Sequence, residues 1–284
     1  MSQTILAYYA DGIYVGMALI SACCARRADP DMTVIVYSPQ KYARDFPDWI
    51  EHRPVDDEYP QHYIRKPRSW LHLLSCAGDR EVVLLDADTV PLASLHEGIK
   101  ESHRTGLAAV VDNSSYMQVH SSTVELRHDH ARCRSDLGSR LDICPDSGAE
   151  LKSFFNLPEQ DALNRRPYFG AAFLFVRRCE KVIQMFQRTS EFGIAHPNAR
   201  ALAILPENTP MNCAAMEADI SPVQLDPEKY SLMSDTPGKV ILHMDGPKRF
   251  GRRVSRDVGR YREYVEQALS REHLLHHPMV QTVW

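Results

Sequence analysis

The sequence of 284 residues predicts an α/β fold in which helices flank a mostly parallel central sheet. The first observation behind this prediction is an alternation of short apolar segments, typical of buried strands, with segments of helical periodicity. The second is that a helix-length connection separates the first two strands, as parallel strands require. The composition, with 44% hydrophobic and 25% charged residues, is that of a globular protein.

The chain opens with a predicted strand, helix and strand. Residues 4–9 (TILAYY) have the composition of a buried strand. A helical pattern runs from Tyr14 to Arg27, and the cations of Arg26 and Arg27 suit its last turn because the carboxyl end of a helix carries partial negative charge. Residues 32–38 (MTVIVYS) form the next predicted strand. This order favours a parallel crossover.

The middle of the chain is predicted to alternate in the same way. A polar stretch with several prolines, 39–67, has no predicted element, and a helix follows at 68–77. This helix leads into a predicted strand at 81–86. Residues 106–111 (GLAAVV) predict a short strand that ends at Asp112.

The rest of the chain combines a polar segment with further strands and helices. Residues 113–167 are polar and lack strong periodicity, which predicts an insertion or lid-like segment. A strand at 168–178, a helix at 181–192 and a last core strand at 239–244 are predicted to complete the fold. The tail from 257 to 270 has the pattern of an amphipathic helix.

Charge and cysteine content limit the classes of partner. The net charge of −4 does not indicate a nucleic-acid partner, and no apolar stretch reaches the roughly 18 residues that suggest a membrane span. The N-terminus lacks the basic start and small-residue cleavage site of a signal peptide. Seven cysteines, an odd number with no CxxC pair, predict reduced thiols and a cytoplasmic location.

A dense run of basic residues lies near the end of the chain. Two interpretations stay open: a solvated helix face, or a surface for an anionic acceptor or for a membrane, which would make the protein peripheral to that membrane. The run consists of Lys248, Arg249, Arg252, Arg253, Arg256, Arg260 and Arg262.

Two acidic residues follow a strand that is predicted to be buried on both faces. Val82 to Leu85 are apolar, and Asp86 and Asp88 come directly after them. Residues i and i+2 of an extended chain point the same way, so both carboxylates are expected to face one side. Like charges this close repel unless a cation lies between them, and oxygen ligands suit Mg²⁺ or Mn²⁺. The alternative is that the aspartates only begin a turn before Pro91.

A second motif, HMDGPKR at 243–249, supplies candidates for the rest of the site. His243 is the natural third metal ligand because one imidazole is compatible with Mn²⁺. Gly246 allows a tight turn or a close approach to a ligand, and Lys248 adds positive charge that suits a diphosphate. The alternatives are a core histidine and a surface turn with solvated cations.

Other polar residues also follow predicted strands. Asp11 comes after the first strand, Asp112 after the strand at 106–111, and His243 lies near the end of the last strand. Ligands of open α/β sheets bind beyond the carboxyl ends of the strands. These residues are therefore expected to converge on one rim with the aspartate pair.

Four stretches, in order along residues 3–250, resemble the GT-A-type nucleotide-sugar glycosyltransferases, nearest to glycosyltransferase family 8, which includes glycogenin and bacterial lipooligosaccharide galactosyltransferases. The stretches are ILAYYADGIYVGMALISA, KPRSW at 66–70, LLDADTVPL and ILHMDGPKR. The resemblance implies the GT-A fold, a Rossmann-like and mostly parallel sheet with flanking helices. The residues that it assigns to binding the nucleotide sugar and its metal are Tyr9, Ala10, Asp11, Tyr14, Lys66, Asp86, Ala87, Asp88, His243, Gly246 and Lys248.

The chain departs from the family pattern in the strand that contacts the sugar. The family's motif usually reads like Phe-Asn-Ala-Gly, whereas this chain has Phe169, Gly170, Ala171 and Ala172. The Asn side chain that contacts the sugar is therefore missing, and Gly170 and Ala171 stand at the sugar position. This departure bears on the identity of the donor sugar.

A second departure lies in the family's Asp-Gln-Asp element, which follows that strand. The candidate here is PENTPMN at 206–212, with Glu207 and Asn208 in the matching places. The sequence QDALN at 160–164 spells the element better but precedes the strand, so we interpret it as a coincidence. The lysine of the last motif, Lys248, also sits one place early.

The resemblance implies transfer of a sugar from a nucleoside diphosphate to a hydroxyl of a carbohydrate, glycolipid or protein, with retention of the anomeric configuration and Mn²⁺ or Mg²⁺ as cofactor. UDP is the family's usual carrier, and GDP stays an alternative. Glu207, Asn208 and Lys248 are the implied catalytic candidates. The implied organisation is a GT-A domain at 1–250, with an acceptor-side or lid segment at 113–167, and a basic helical extension at 251–284.

Two other classes of function remain as alternatives. A sugar-1-phosphate nucleotidyltransferase uses a related fold and metal, but ADGIYVG lacks the basic residue of its phosphate loop. An inactive scaffold that binds a nucleotide sugar is favoured by the glycine at 170 and opposed by the intact aspartates and His243.

Overall fold

The computed structural model describes residues 4–55, 62–128, 145–157, 166–197, 208–232, 238–243 and 259–284. Within them the strands are β1 (Ile5–Tyr9), β2 (Thr33–Ser38), β3 (Ile50–Pro54), β4 (Glu81–Asp86), β5 (Thr89–Pro91), β6 (Leu107–Val119), β7 (Val124–His128), β8 (Arg166–Arg177), β9 (Val223–Gln224), β10 (Tyr230–Leu232) and β11 (Ile241–His243). The helices are α1 (Tyr14–Ala28), α2 (His62–Cys76), α3 (His96–Ser102), α4 (Pro145–Phe154), α5 (Glu180–Ala195), α6 (Asn208–Glu217), α7 (Gly259–Arg271) and α8 (Pro278–Gln281), with a 3₁₀ helix at Gln40–Asp45.

The central sheet has the strand order β3-β2-β1-β4-β8-β6-β7, and β9 pairs with the first part of β6. Strands β3, β2, β1 and β4 are parallel to one another. Strand β8 is antiparallel to both of its neighbours, so β6 again runs in the direction of β4. Strand β9 is parallel to β6, and β7 is antiparallel to it. The predicted α/β fold with a mostly parallel sheet is therefore confirmed.

Hydrophobic side chains cover both faces of this sheet. In β4, Val82 and Leu84 belong to a core with α2, α5 and α6, whereas Val83 and Leu85 belong to a second core with α1, α3 and α7. All four are buried. Burying one such side chain contributes about 1.5–3 kcal/mol, so this packing holds β4 at the centre of the sheet and its carboxyl end, Asp86, at the rim.

A second, three-stranded sheet has the order β10-β11-β5. Strand β5 begins only three residues after the end of β4 and pairs antiparallel with β11. The strand predicted at 239–244 is found as β11, but it belongs to this small sheet and not to the central one. The short β5 thereby connects the end of β4 to a strand that lies about 150 residues later.

Two predicted element boundaries are wrong. Strand β6 does not end at Asp112 but continues to Val119, with Asp112 opposite Tyr168 in the ladder with β8. The sequence after Asp112 is polar, and Met117 and Val119 supply the apolar alternation there. Helix α2 begins before Pro67, since its buried residues on either side hold the helix through a position where proline removes one hydrogen bond.

Strand β3 lies in the polar stretch at 39–67, for which no element is predicted. It is the edge strand of the central sheet, and Ile50 is its one buried residue. An edge strand of this kind carries little apolar periodicity. The described part of 113–167 likewise contributes to the sheet, through β6 and β7. The division of the chain into domains stays a prediction.

The C-terminal helices pack against α1. The predicted helix at 257–270 is observed as α7, and its Val265 and Leu269 are buried in the same core as α1. Arg27 donates a hydrogen bond from Nη1 to the Tyr264 carbonyl over 2.9 Å. Gly16 of α1 lets the Met279 carbonyl approach so closely that an added Cβ would lie 2.1 Å from its oxygen.

The described helices do not include one with both the length and the hydrophobicity that a membrane-spanning helix needs.

Candidate metal centre

Asp86, Asp88 and His243 lie together at the carboxyl end of β4. Each offers one ligand atom, and these atoms lie within 4.8 Å of one another. His243 Nε2 is 3.2 Å from Asp88 Oδ1. The structure thus brings together the three side chains that the sequence names as metal ligands, although their binding role stays a prediction.

Thr89 connects the turn that carries Asp86 and Asp88 to the strand that carries His243. Its hydroxyl donates to the Asp86 carbonyl over 2.7 Å and so closes the turn that carries both aspartates. Its backbone lies opposite His243 in the antiparallel ladder of β5 and β11. One buried residue therefore fixes the aspartate turn and sets the register of the strand that brings His243 to it.

Buried hydroxyl groups of α1 and β1 lie next to this turn. Ser21 of α1 donates to the Tyr8 hydroxyl over 2.9 Å, and its Oγ lies 3.5 Å from Thr89 Oγ1. Burial raises the pKa of Tyr8 far above its usual range, so the phenol keeps its proton. These contacts link α1 and β1 to the aspartate turn of the candidate metal centre.

The cluster is largely shielded from water. The side chains of Asp86, Asp88 and His243 are 23%, 10% and 11% exposed. Buried carboxylates are costly unless they are paired. Asp86 is in contact with the ammonium of Lys66, whose side chain is 7% exposed, and Asp88 is hydrogen-bonded to His243.

The donor set fits a divalent cation with oxygen preference. Two carboxylates and one imidazole match the ligands of Mn²⁺, and Mg²⁺ accepts the same oxygen donors. Acidic pairs on protein surfaces are common without an ion, but these two are held in a partly buried turn with the imidazole fixed against them. The residues present therefore fit the metal that the sequence predicts.

The other predicted rim residues lie beside this cluster. In the β1–β4 ladder Tyr9 is paired with Asp86, and the Ala10 amide donates to the Tyr37 carbonyl over 2.9 Å. The strand order reverses between β1 and β4, which is the switch point where ligands of open α/β sheets bind. Asp11 lies two residues after the end of β1, at this switch point.

The turn after β1 presents polar and apolar groups to solvent. Asp11 Oδ2 lies 3.5 Å from Arg65 Nη1. Gly12 has a φ of 59°, a left-handed conformation that glycine adopts without strain. Tyr14 and Ile13 are exposed large hydrophobic residues at the start of α1. Ile13 lies within the first stretch of the family resemblance but has no role assigned from the sequence, and only the structure shows that it is exposed beside Tyr14.

A cavity of about 220 Å³ opens next to this turn. It lies between the carboxyl ends of β2 and β3 and one face of α2. Its lining includes Arg65, the partner of Asp11, together with a second guanidinium from Arg68. Sequence reasoning missed it because the residues of β3 had no predicted element. The lining residues are Tyr37, Pro54, Val55, Arg65, Arg68, Ser69 and His72.

On the other side of β4, helix α6 is fixed to β8 by two asparagines. Asn208 Oδ1 accepts from the Ala171 amide over 3.2 Å, and Asn212 bonds to both the amide and the carbonyl of Phe169 at 3.0 and 2.9 Å. A Cβ added to Gly170 would meet no atom within 4 Å. The predicted contact of Asn208 with a sugar stays a prediction, and its side-chain oxygen is engaged with β8.

Several predicted site residues lie wholly or partly outside the part of the chain that the structure describes. Glu207, Gly246 and Lys248 lie outside the described residues, as do most of the basic residues between 248 and 262. Asp112 is described only by its place in β6, without its side chain. Ala87, between the two aspartates, is buried.

Glycosyltransferases of known structure share this fold. The galactosyltransferase LgtC, solved with donor and acceptor sugar analogues, matches with a TM-score of 0.53 and 14% identity, over 94% of this chain and 96% of LgtC. The apo structure of the bifunctional glycosyltransferase WbbM gives 0.53 and 13%, over 99% of this chain and 51% of WbbM. The glycosyltransferase GlyE of Streptococcus pneumoniae TIGR4 gives 0.54 and 12%, over all of this chain and 64% of GlyE.

These matches confirm the predicted GT-A-type glycosyltransferase fold. This chain spans nearly all of LgtC but about half of WbbM and less than two thirds of GlyE. At 12–14% identity the likeness establishes the fold alone. No protein-family model and no curated protein matches the sequence.

Proposed function

We propose that this protein is a metal-dependent glycosyltransferase that moves a sugar from a nucleoside-diphosphate sugar, with UDP as the carrier, to an acceptor hydroxyl. The observation that carries the proposal is the partly buried cluster of Asp86, Asp88 and His243 at the switch point of the sheet. A turn with only a structural role would not require an imidazole from β11, a strand that is distant in sequence, to lie beside its carboxylates.

The positions around the cluster support a nucleotide at this place. Asp11 and Tyr14 follow β1, where they offer a carboxylate and an aromatic ring for a ribose and a base. Lys66 offers an ammonium beside Asp86 for the anionic part of the donor. Gly170 and Ala171 lie in the middle of β8, just before the residues that pair with β4, on the side where the sugar would extend.

The chemistry follows from the charge that develops on the leaving group. Cleavage of the bond between the anomeric carbon and the diphosphate leaves negative charge on the diphosphate. A divalent ion held by Asp86, Asp88 and His243 would supply Lewis-acid neutralisation of that charge. Lys66 and Lys248 would add positive charge near the same oxygens.

Contact with the transferred sugar is assigned to Glu207 and Asn208. They would contact the sugar as it gains oxocarbenium character, and the hydrogen bond from the Ala171 amide to Asn208 Oδ1 supports a position beside β8 for Asn208. We propose retention of the anomeric configuration and assign no general base. The acceptor is a carbohydrate, glycolipid or protein hydroxyl, and the basic run between 248 and 262 is a candidate surface for an anionic acceptor.

The test is a thermal-shift screen with nucleoside diphosphates and nucleotide sugars, each with and without Mn²⁺, followed by donor hydrolysis for every ligand that stabilises. Ligand binding raises the melting temperature in proportion to the logarithm of ligand concentration over Kd, so the screen ranks donors. We expect UDP with Mn²⁺ to give a shift that neither gives alone.

The variant for this screen is Asp88→Asn, and its control is Glu101→Gln, an acid paired with Arg104 away from the site. We expect Asp88→Asn to lose the Mn²⁺-dependent part of the shift and Glu101→Gln to keep it. A Mn²⁺-dependent shift that survives Asp88→Asn would refute the assigned site. Tight nucleotide binding without turnover of any donor would favour a scaffold, and release of pyrophosphate from a nucleoside triphosphate and a sugar phosphate would favour a nucleotidyltransferase.

A further inference from the structure

Lys66 is a buried cation in direct contact with one of the paired acids. Its ammonium touches Asp86 Oδ1, and the residue is 5% exposed. A buried ammonium is costly unless it is paired, and so is a buried carboxylate next to a second carboxylate. The ion pair therefore offsets part of the cost of burying each group, and a cation that belongs to the chain neutralises one of the two acids.

The rest of α2 holds this ammonium at the site. Trp70, one helical turn after Lys66, places its ring centroid 4.8 Å from Lys66 Nζ. Trp70 is fully buried and packs edge-on against Phe186 of α5 at 5.7 Å. The base of the lysine side chain is thus fixed in the core, and only rotation about the lysine's own side-chain bonds would move the ammonium away from Asp86.

A divalent ion and this ammonium compete for the same carboxylate. The ion that the three ligands suit needs Asp86, and Lys66 already occupies an oxygen of Asp86. Two cations at one carboxylate repel strongly in a partly buried site. A carboxylate has a second oxygen that can bind the ion, but this repulsion weakens the contact between Lys66 and Asp86 when the ion binds.

We propose that Lys66 is a resident counter-cation that leaves Asp86 when the divalent ion enters and then binds an anionic oxygen of the donor diphosphate. This inference rests on the proposed function and adds to it the order in which the two cations occupy Asp86. Metal alone binds weakly because it has to compete with the ammonium for Asp86. Metal and diphosphate together bind tightly because the displaced ammonium gains phosphate oxygens.

The experiment measures Mn²⁺ affinity with and without UDP, from the electron paramagnetic resonance signal of free Mn²⁺ and by titration calorimetry. The neutral variants are Lys66→Met and Lys66→Gln, and Lys66→Arg keeps the charge. The control is Lys229→Met, which removes an ammonium 3.1 Å from the Glu97 carboxylate, away from the site. In the neutral variants we expect at least tenfold tighter binding of Mn²⁺ alone and at least tenfold weaker binding of UDP to the Mn²⁺-loaded protein.

The charged variant and the control separate this role from a purely structural one. Lys66→Arg and Lys229→Met are expected to bind Mn²⁺ alone as the unaltered chain does. If a neutral variant unfolds without metal but folds when Mn²⁺ is added, the proposal is supported, because the ion then replaces the missing ammonium. If both neutral variants stay unfolded in saturating Mn²⁺, or bind Mn²⁺ alone no tighter than the unaltered chain, the proposal is overturned.

The failure of this inference can be distinguished from the failure of the proposed function. If the unaltered chain binds no Mn²⁺ even with UDP, the metal-dependent transferase itself is wrong. If Mn²⁺ binds together with UDP but neutral variants at 66 do not tighten its binding in the absence of UDP, only the exchange of cations is wrong.

Discussion

Replacing Thr89 with valine tests whether the aspartate turn is held in the geometry that binds metal. Valine keeps the shape of the side chain but removes the hydroxyl, which donates to the Asp86 carbonyl over 2.7 Å and contacts Ser21 Oγ at 3.5 Å. Thr89 is fully buried, so water cannot replace the lost donor. The backbone ladder between Thr89 and His243 is retained.

The expected size follows from the hydrogen bond that is lost. A hydrogen bond between neutral groups contributes about 0.5–1.5 kcal/mol net, and a buried acceptor left unsatisfied costs about 1–3 kcal/mol. We therefore expect Thr89→Val to lower the free energy of unfolding by about 1–3 kcal/mol. If the hydroxyl holds the turn with about 0.5–1.5 kcal/mol, the turn adopts its binding geometry less often and the apparent Mn²⁺ affinity falls by about two- to tenfold.

The assay is urea unfolding for stability and Mn²⁺ titration in the presence of UDP for affinity. The matched control is Thr189→Val in α5, a buried threonine whose hydroxyl also donates to a backbone carbonyl, that of Met185, over 2.7 Å. This control is expected to lower stability without changing Mn²⁺ affinity. The reasoning is refuted if Thr89→Val loses stability but binds Mn²⁺ normally, or if both variants weaken Mn²⁺ binding equally.

Two further predictions concern the packing and the buried thiols. Gly16→Ala would place a Cβ 2.1 Å from the Met279 carbonyl oxygen, so we expect it to lower the free energy of unfolding by about 1–3 kcal/mol in urea titrations, whereas Gly170→Ala, where the Cβ meets nothing, leaves it unchanged. Equal stability of the two variants would contradict the packing of the C-terminal helices on α1. Burial raises the pKa of the Cys23 thiol from 9.0 to about 12, so between these values the unfolded chain loses this proton before the folded chain does. Stability from this thiol is thus complete below pH 9 and is lost as the pH rises toward 12, with a slope of up to about 1.4 kcal/mol per pH unit. Unfolding of the reduced protein between pH 8 and 10 measures this slope; Cys23→Ala should reduce it and Cys76→Ser, at an exposed position, should not.

Local sequence patterns predicted the elements that are buried on both faces. Val82 to Leu85 alternate between two cores, so all four have to be apolar. The continuous apolar segment that results identified β4. Strand β3 was missed because an edge strand with one buried residue carries little periodicity. The second half of β6 was missed because its residues near Asp112 are polar while its pairing with β7 and β8 holds it extended.

The candidate site could be named from the sequence, but its connections could not. Asp86, Asp88 and His243 were identified by position and by resemblance, whereas the small sheet that joins them depends on the pairing of Thr89 with His243, which no local pattern encodes. The contact of Lys66 with Asp86 also could not be predicted from the sequence, because α2 and the end of β4 meet only in the folded chain. Two adjacent acids are expected to need a cation beside them, and in the folded chain the ammonium of Lys66 contacts one of the two.

The most direct test of the central claim is a crystal structure of the protein with Mn²⁺ and UDP, with anomalous diffraction collected at the manganese edge. We predict one anomalous peak within coordinating distance of Asp86, Asp88 and His243, with Lys66 turned from Asp86 toward the diphosphate. An anomalous peak elsewhere on the chain, or no peak near these three side chains at saturating Mn²⁺ and UDP, would contradict the account.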